Sequence, residues 1–146
     1  MAGKDRPSWL HVLERCDLQV LGATAPKDAP SVTTAIRAVA GFDVEPVAVI
    51  PAAIPQAVHE LDRQWHHYAA LGPLYDEKGE FLIIPPVSGG SEIGWVRVSD
   101  PAGDMLPSRI AMVSGSPEFI AVSVDGRHMC AASVEEYDYW VVTHEF

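Results

Sequence analysis

Three of the six histidines, His59, His66 and His67, stand close together with Glu60 and Asp62 between them. Imidazoles and carboxylates at helical spacing are the donor set of zinc and related transition-metal sites. On a helix turning about 100° per residue, His59 and His66 fall about 20° apart, with Asp62 near them in angle. The axial rise argues against a shared ion. Seven residues separate the two rings by about 10.5 Å along the axis, whereas zinc holds each nitrogen at about 2.0–2.1 Å. The zinc-helix pattern H-E-x-x-H spaces its histidines by four, and HELDR (59–63) lacks the second. Asp62 and His66 do stand four apart, and could share a metal or a charge-assisted contact. His67 points elsewhere. The spacing therefore predicts a solvated helix face.

A second donor set is His128 and Cys130, two apart and so on one side of a strand. Joined by Cys16 or His144 they could bind zinc or form a thiolate–histidine pair. The blander expectation is a small hairpin face packed under helices, with His128 hydrogen-bonded near Ser123. Cys16 and Cys130 both sit in apolar patterns and read as reduced core thiols, which fits a cytoplasmic setting. The CxxC that would complete a zinc deaminase is absent. VSGGS (87–91) and VSGS (113–116) match neither a P-loop nor G-x-S-x-G. The 85–94 loop, PPVSGGSEIG, is the place to look for a binding lid.

The third set is acidic. Glu135, Glu136 and Asp138 alternate with Tyr137, Tyr139 and Trp140. Nearness in sequence is no argument for acid–base catalysis. Rigid aromatic area beside negative charge does suit docking of a partner that offers Arg or Lys. Net charge is −10, divided unevenly: residues 1–73 carry −2 and residues 74–146 carry −8. Such a balance repels phosphate backbones, which counts against nucleic acid, and steers a basic protein inward. Seven Arg against three Lys, with no Asn, hints at a GC-rich bacterial genome.

The elements that must position these residues are helical first and strand-like later. A chain of 146 residues with 48% hydrophobic content is long enough for one domain, 1–146, that folds without staples. No run reaches the roughly 18 apolar residues of a membrane span, and MAGKDRPSW contains no apolar leader. Ser8 caps a helix bearing Trp9, Val12, Leu13, Cys16 and Val20, closed by Gly22. Residues 22–31 form a loop, and Ser31 caps a short helix with Val32, Ala35, Ile36 and Val39, ended by Gly41. Residues 45–50 are a short strand or connector. The longest helix runs over 55–71 from Pro55 to Gly72-Pro73, burying Ile54, Val58, Leu61, Trp65 and Tyr68.

Strands follow at 80–84, 95–99, 109–113, 119–124 and 127–132. Asp125-Gly126 predicts a type I′ hairpin that sets Val122 opposite Met129 and Ile120 opposite Ala131. Ile120, Val122, Val124, Met129 and Ala131 then form its core face. The tail from Ser133 reads as one helical turn followed by a strand. The class is α+β: N-terminal helices on one face of a mostly antiparallel sheet of five to six strands.

No metal or other cofactor is called for. The leading expectation is a non-enzymatic, cytoplasmic bacterial binding module of the immunity or inhibitor type. It would neutralise a basic protein through Glu135, Glu136, Asp138, Tyr137, Tyr139 and Trp140. One alternative is a small enzyme or ligand-binding domain, with His128, Cys130 or His144 lining a pocket between the sheet and the 55–71 helix. Another is a structural subunit that self-associates, as a homodimer, through its terminal strand.

Overall fold

A computed structural model describes residues 7–23, 26–41 and 43–146. The rest of MAGKDRPSW (residues 1–6) and two residues of the 22–31 loop (24 and 25) lie outside that range. In chain order the elements are α1 (Ser8–Arg15), β1 (Gln19–Gly22), α2 (Val32–Ala40), β2 (Ala48–Pro51) and α3 (Ala57–Leu71). They continue with β3 (Glu80–Ile83), α4 (Gly90–Ile93), β4 (Val96–Ser99), α5 (Leu106–Ser114), β5 (Phe119–Ser123), β6 (His128–Val134) and β7 (Asp138–Glu145). The seven strands form one open sheet in the order β1-β4-β3-β5-β6-β7-β2, and every pairing is antiparallel. The α+β class holds, with one strand more than the upper expectation.

Alternation along β5 and β6 sends side chains into two separate cores. Phe119, Ala121, Cys130 and Ala132 pack with Leu61 and Trp65 of α3, alongside residues of α1 and α5. Val122, Met129 and Ala131 pack with Ala35 and Val39 of α2. α1, α3 and α5 thus share one face, while α2 covers the other. The sheet is a middle layer, and this is why β6 is buried without interruption from Met129 to Ser133. The face of Ile120, Val122 and Met129 expected as the hairpin core is the α2 side, and the face of small residues expected under helices holds the larger core beneath α3.

The β5–β6 register is as expected: Val122 pairs with Met129 and Ile120 with Ala131. The turn differs. Gly126 has φ 78°, but Asp125 does not take the positive φ that a type I′ turn requires. Gly126 N–H instead closes onto Ser123 O at 2.8 Å. Asp125 Oδ1 accepts from Ser123 Oγ at 2.5 Å and from Arg127 N at 3.0 Å. Gly126 also abuts Asp28 and Ala29 of the 22–31 loop. A Cβ there would stand 2.2 Å from Asp28 O, so only glycine fits.

Three expected elements are corrected. α1 stops at Arg15, and Val20 belongs to β1. Asp17 takes the left-handed conformation (φ 64°), and the N–H groups of Asp17 and Leu18 bond back to Glu14 O and Leu13 O. This is a Schellman stop built on Asp rather than the Gly expected at 22. Residues 109–113 are helical, not a strand. They lie in α5, whose Leu106 and Ile110 are buried, with Pro107 in its first turn and Gly115 in the left-handed conformation after it. The tail contains no helical turn. Glu135 N–H bonds to Asp138 O at 2.8 Å, folding β6 directly back into β7.

α3 ends at Gly72-Pro73 as expected but begins at Ala57, after Gln56. Its fully covered residues are Ala57, Leu61, Asp62, Trp65 and Ala69, so the buried stripe is rotated toward Asp62, and Ile54 is exposed. Ser31 caps α2, accepting from Thr34 N at 3.1 Å. β7 lies between β6 and β2 over residues 138–141, so the free strands of the sheet are β1 and β2 rather than the terminal one. No described helix is long and apolar enough to cross a membrane.

Candidate functional site

The histidine helix resolves into two kinds of residue. His59 and His67 are exposed, as a solvated face requires. Asp62 and His66 are not on that face. Asp62 is 5% exposed and reaches the first turn of α5. Its Oδ1 accepts from Ser108 N at 2.8 Å and its Oδ2 from Ser108 Oγ at 2.5 Å. His66 Nε2 accepts from Leu106 N at 3.1 Å. α5 has no side-chain cap of its own. Of the N–H groups in its first turn, those of residues 106 and 108 are held by α3, and Pro107 has none. The carboxylate also sits where the partial positive charge of the helix end favours it. The i, i+4 pair that resembled metal ligands is therefore a cap supplied by a neighbouring helix.

Because Nε2 accepts, the ring proton of neutral His66 stands on Nδ1, 3.4 Å from the Tyr75 hydroxyl. Burial pushes the His66 pKa down, against the nearby charges of Asp100, Asp62 and Asp104, while Arg109 adds to the lowering. Burial pushes the Tyr75 hydroxyl up, helped by Asp100. Asp100 is paired with Arg109 at 2.7 Å, and Arg109 also donates to Cys16 O at 2.8 Å. The second Asp100 oxygen, Oδ1, is buried without a partner among the described residues. Ser108, Tyr75, Asp100 and Arg109 were invisible as a group from sequence. Reading 109–113 as a strand concealed the helix start that they serve. Both ring nitrogens of His66 are engaged, one by the start of α5 and one by Tyr75.

The other donor sets do not converge. Cys130 is buried, Trp65 Nε1 donates to Cys130 O at 3.3 Å, and the Cys130 thiol donates to Trp65 O at 3.8 Å. Burial raises the Cys130 thiol well above its usual range, and raises Cys16 to about 11. Both are inert thiols rather than nucleophiles. His128 N–H donates to Ser123 Oγ at 3.0 Å, the contact expected for a hairpin face under a helix. His144 stands against Phe146, and by alternation from the buried Val142 it faces the α2 side, away from Cys130. Among the described residues no three His, Cys, Asp or Glu side chains gather as a metal site. Leu61, Trp65 and Ala69 are 0% exposed, so side chains fill the space between α3 and the sheet.

The acidic segment is the β6–β7 turn and the start of β7. Tyr137 is 74% exposed and Glu136 is exposed beside it at the tip. Tyr139 packs toward the α3 core and Trp140 toward the α2 core. By strand alternation Asp138 shares the Trp140 side. Glu135 accepts from Ser133 Oγ, which is cross-strand from Trp140. Among the described residues, Glu135, Glu136 and Asp138 have no Lys, Arg or His as an ion partner. The carboxylates of Asp100, Glu60 and Glu80 each have one. The set read from sequence thus separates: two aromatics anchor the strand, Glu136 and Tyr137 are exposed at the tip, and Glu135 and Asp138 are half-buried beside them.

The 85–94 loop closes one end of a groove on the α2 side of the sheet. Gly90 packs so closely on Pro85 that a Cβ would lie 2.0 Å from its carbonyl oxygen. Ile36, Val39, Ile84, Val87 and Ile120 line the groove, and Glu118 and Ser133 form its polar end. Comparison with known proteins yields no match: no family model fits the chain, and no curated protein or solved structure resembles it significantly.

Proposed function

We propose that this protein is a non-enzymatic binding module of the immunity or inhibitor type, which docks a basic protein partner through the β6–β7 hairpin. The observation that carries this reading is the cluster of Glu135, Glu136 and Asp138, without cationic partners among the described residues, around the exposed Tyr137. No cation among the described residues competes with a partner for these carboxylates. Steering by like-signed charges raises association rates, and an exposed tyrosine is rigid contact area at low entropic cost. Two buried neutral thiols suit a reducing compartment such as the bacterial cytoplasm.

Immobilised full-length protein and its E135K/E136K/D138K variant are exposed in parallel to native bacterial lysate. The wild type retains basic proteins, and the variant retains them at least tenfold less, about 1.4 kcal/mol, with an unchanged melting temperature. Equal retention by the two proteins, or a retained set that is neutral or acidic, contradicts the proposal.

A further inference from the structure

The geometry points to the groove between α2, the 85–91 loop and the start of β5 as a pocket for an apolar side chain followed by Arg or Lys. It deepens the docking reading and rests on it, because it states what part of the basic partner this face grips.

The groove holds a volume of about 360 Å³, within the range of small-ligand sites and room for one or two side chains. Its walls are Ile36, Val39, Ile84, Val87 and Ile120. Ile36 is 38% exposed, so the groove opens to solvent along α2. One end is different in kind. Glu118 is exposed there, and its Oε2 accepts from Val134 N at 2.9 Å. Its other carboxylate oxygen has no protein partner among the described residues. Among the described residues the lining contains this one carboxylate and no cationic side chain.

Charge complementarity selects the occupant. An apolar group buried against the walls gains about 25 cal/mol for each Å² removed from water. A neutral apolar chain would leave the second Glu118 oxygen without a protein partner, and an acidic one would meet like charge. A guanidinium or ammonium one residue further along meets the carboxylate and keeps its own solvation on the open side. The groove also continues into the acidic hairpin. Ser133 at its polar end donates to Glu135, and Val134, the residue held by Glu118, begins the turn. A basic segment lying over Ile120 therefore meets Glu118 first and the hairpin carboxylates next. The second independent feature is the wall itself. Gly90 lies against the Pro85 carbonyl, and that closeness shapes the closed end.

The test uses the full chain, methyl-labelled for NMR, and two probes: N-acetyl-leucyl-arginine amide and N-acetyl-leucyl-glutamate amide. The arginine probe shifts the methyl signals of Ile36, Ile84, Val87 and Ile120, with a dissociation constant in the millimolar range. The glutamate probe binds at least threefold more weakly. Glu118→Gln, which keeps an acceptor for Val134 N–H, abolishes that preference without unfolding the sheet. Ile36→Lys, on an exposed helix position, blocks both probes. No methyl shifts with either probe at about 10 mM, or equal affinity of the wild type for the two, overturns the proposal. The hairpin residues 135–138 do not line the groove. Probe binding combined with lysate retention indifferent to hairpin charge upholds the groove and sinks the docking reading. Hairpin-dependent retention without probe binding does the reverse.

Discussion

The α3–α5 junction and the β6–β7 hairpin contain the same kinds of side chain put to opposite use. At the junction, Asp62 and His66 accept hydrogen bonds from Ser108 and Leu106, and Asp100 is paired with Arg109. At the hairpin, Glu136 and Asp138 find no cation among the described residues, and Tyr137 is open to solvent. A carboxylate removed from water must be matched, because an unmatched one costs several kcal/mol or gives up its charge. A carboxylate at a turn costs little to leave unmatched, so it remains available. The lesson is that polar clustering in a sequence says nothing of function until the partners of each group are known.

The largest effect expected from breaking this contrast is at the junction. Asp62→Ala leaves the Ser108 N–H and hydroxyl without an acceptor at a helix start, and should cost about 2–4 kcal/mol in urea denaturation. Association with a partner through the hairpin should be unaffected once the variant is folded. An effect of a few tenths of a kcal/mol would mean that α5 does not depend on α3 for its cap.

Next in size is pH. The folded His66 pKa is lowered below its ordinary 6.5 chiefly by burial, so the unfolded chain binds the proton more readily. The stability that follows is fully present above pH 6.5 and is lost as pH falls through the lowered value. Protonation would also turn the Nε2 acceptor into a donor facing Leu106 N–H. His66→Gln keeps an acceptor and does not titrate, so its stability curve should lack that decline. Identical curves for the two proteins between pH 7 and 5 would remove His66 from the account.

The smallest effect sharpens the other side. Tyr137→Ala removes an exposed ring and should leave stability within about 0.5 kcal/mol, while weakening partner binding measurably by calorimetry. A stability loss of a kcal/mol or more would make Tyr137 a packing residue.

The sequence was legible where one local signal decides the backbone. Asp125-Gly126 yields the Ile120–Ala131 register, because any tight closure at that point pairs the same residues. Ser31 and Gly72-Pro73 bound their helices for the same reason. It was misread where a residue does the work of another type. Asp17 takes the left-handed stop usually assigned to glycine, so α1 looked longer than it is. Arg109–Val113 has the composition of a strand, but the spacing of Leu106 and Ile110 and the flanking Pro107 and Gly115 make it helical. That error also hid the site. Without a helix start at Leu106 nothing needs capping, and Asp62 and His66 are left looking like a wet face. The β6–β7 turn was hidden behind the capping-box spacing of Ser133 and Glu136, and the inward packing of Tyr139 and Trp140 depended on α2 and α3, which no local pattern places.

The most direct test sets the two regions against each other in one experiment. Denaturation free energy and affinity for the basic protein retained by the wild type are measured for Asp62→Ala and for E135K/E136K/D138K. The expected result is a crossing: the first loses stability and keeps affinity, and the second keeps stability and loses affinity at least tenfold. Affinity unchanged in the hairpin variant, or lost equally in both, would contradict the assignment of docking to the hairpin and of structure to the junction.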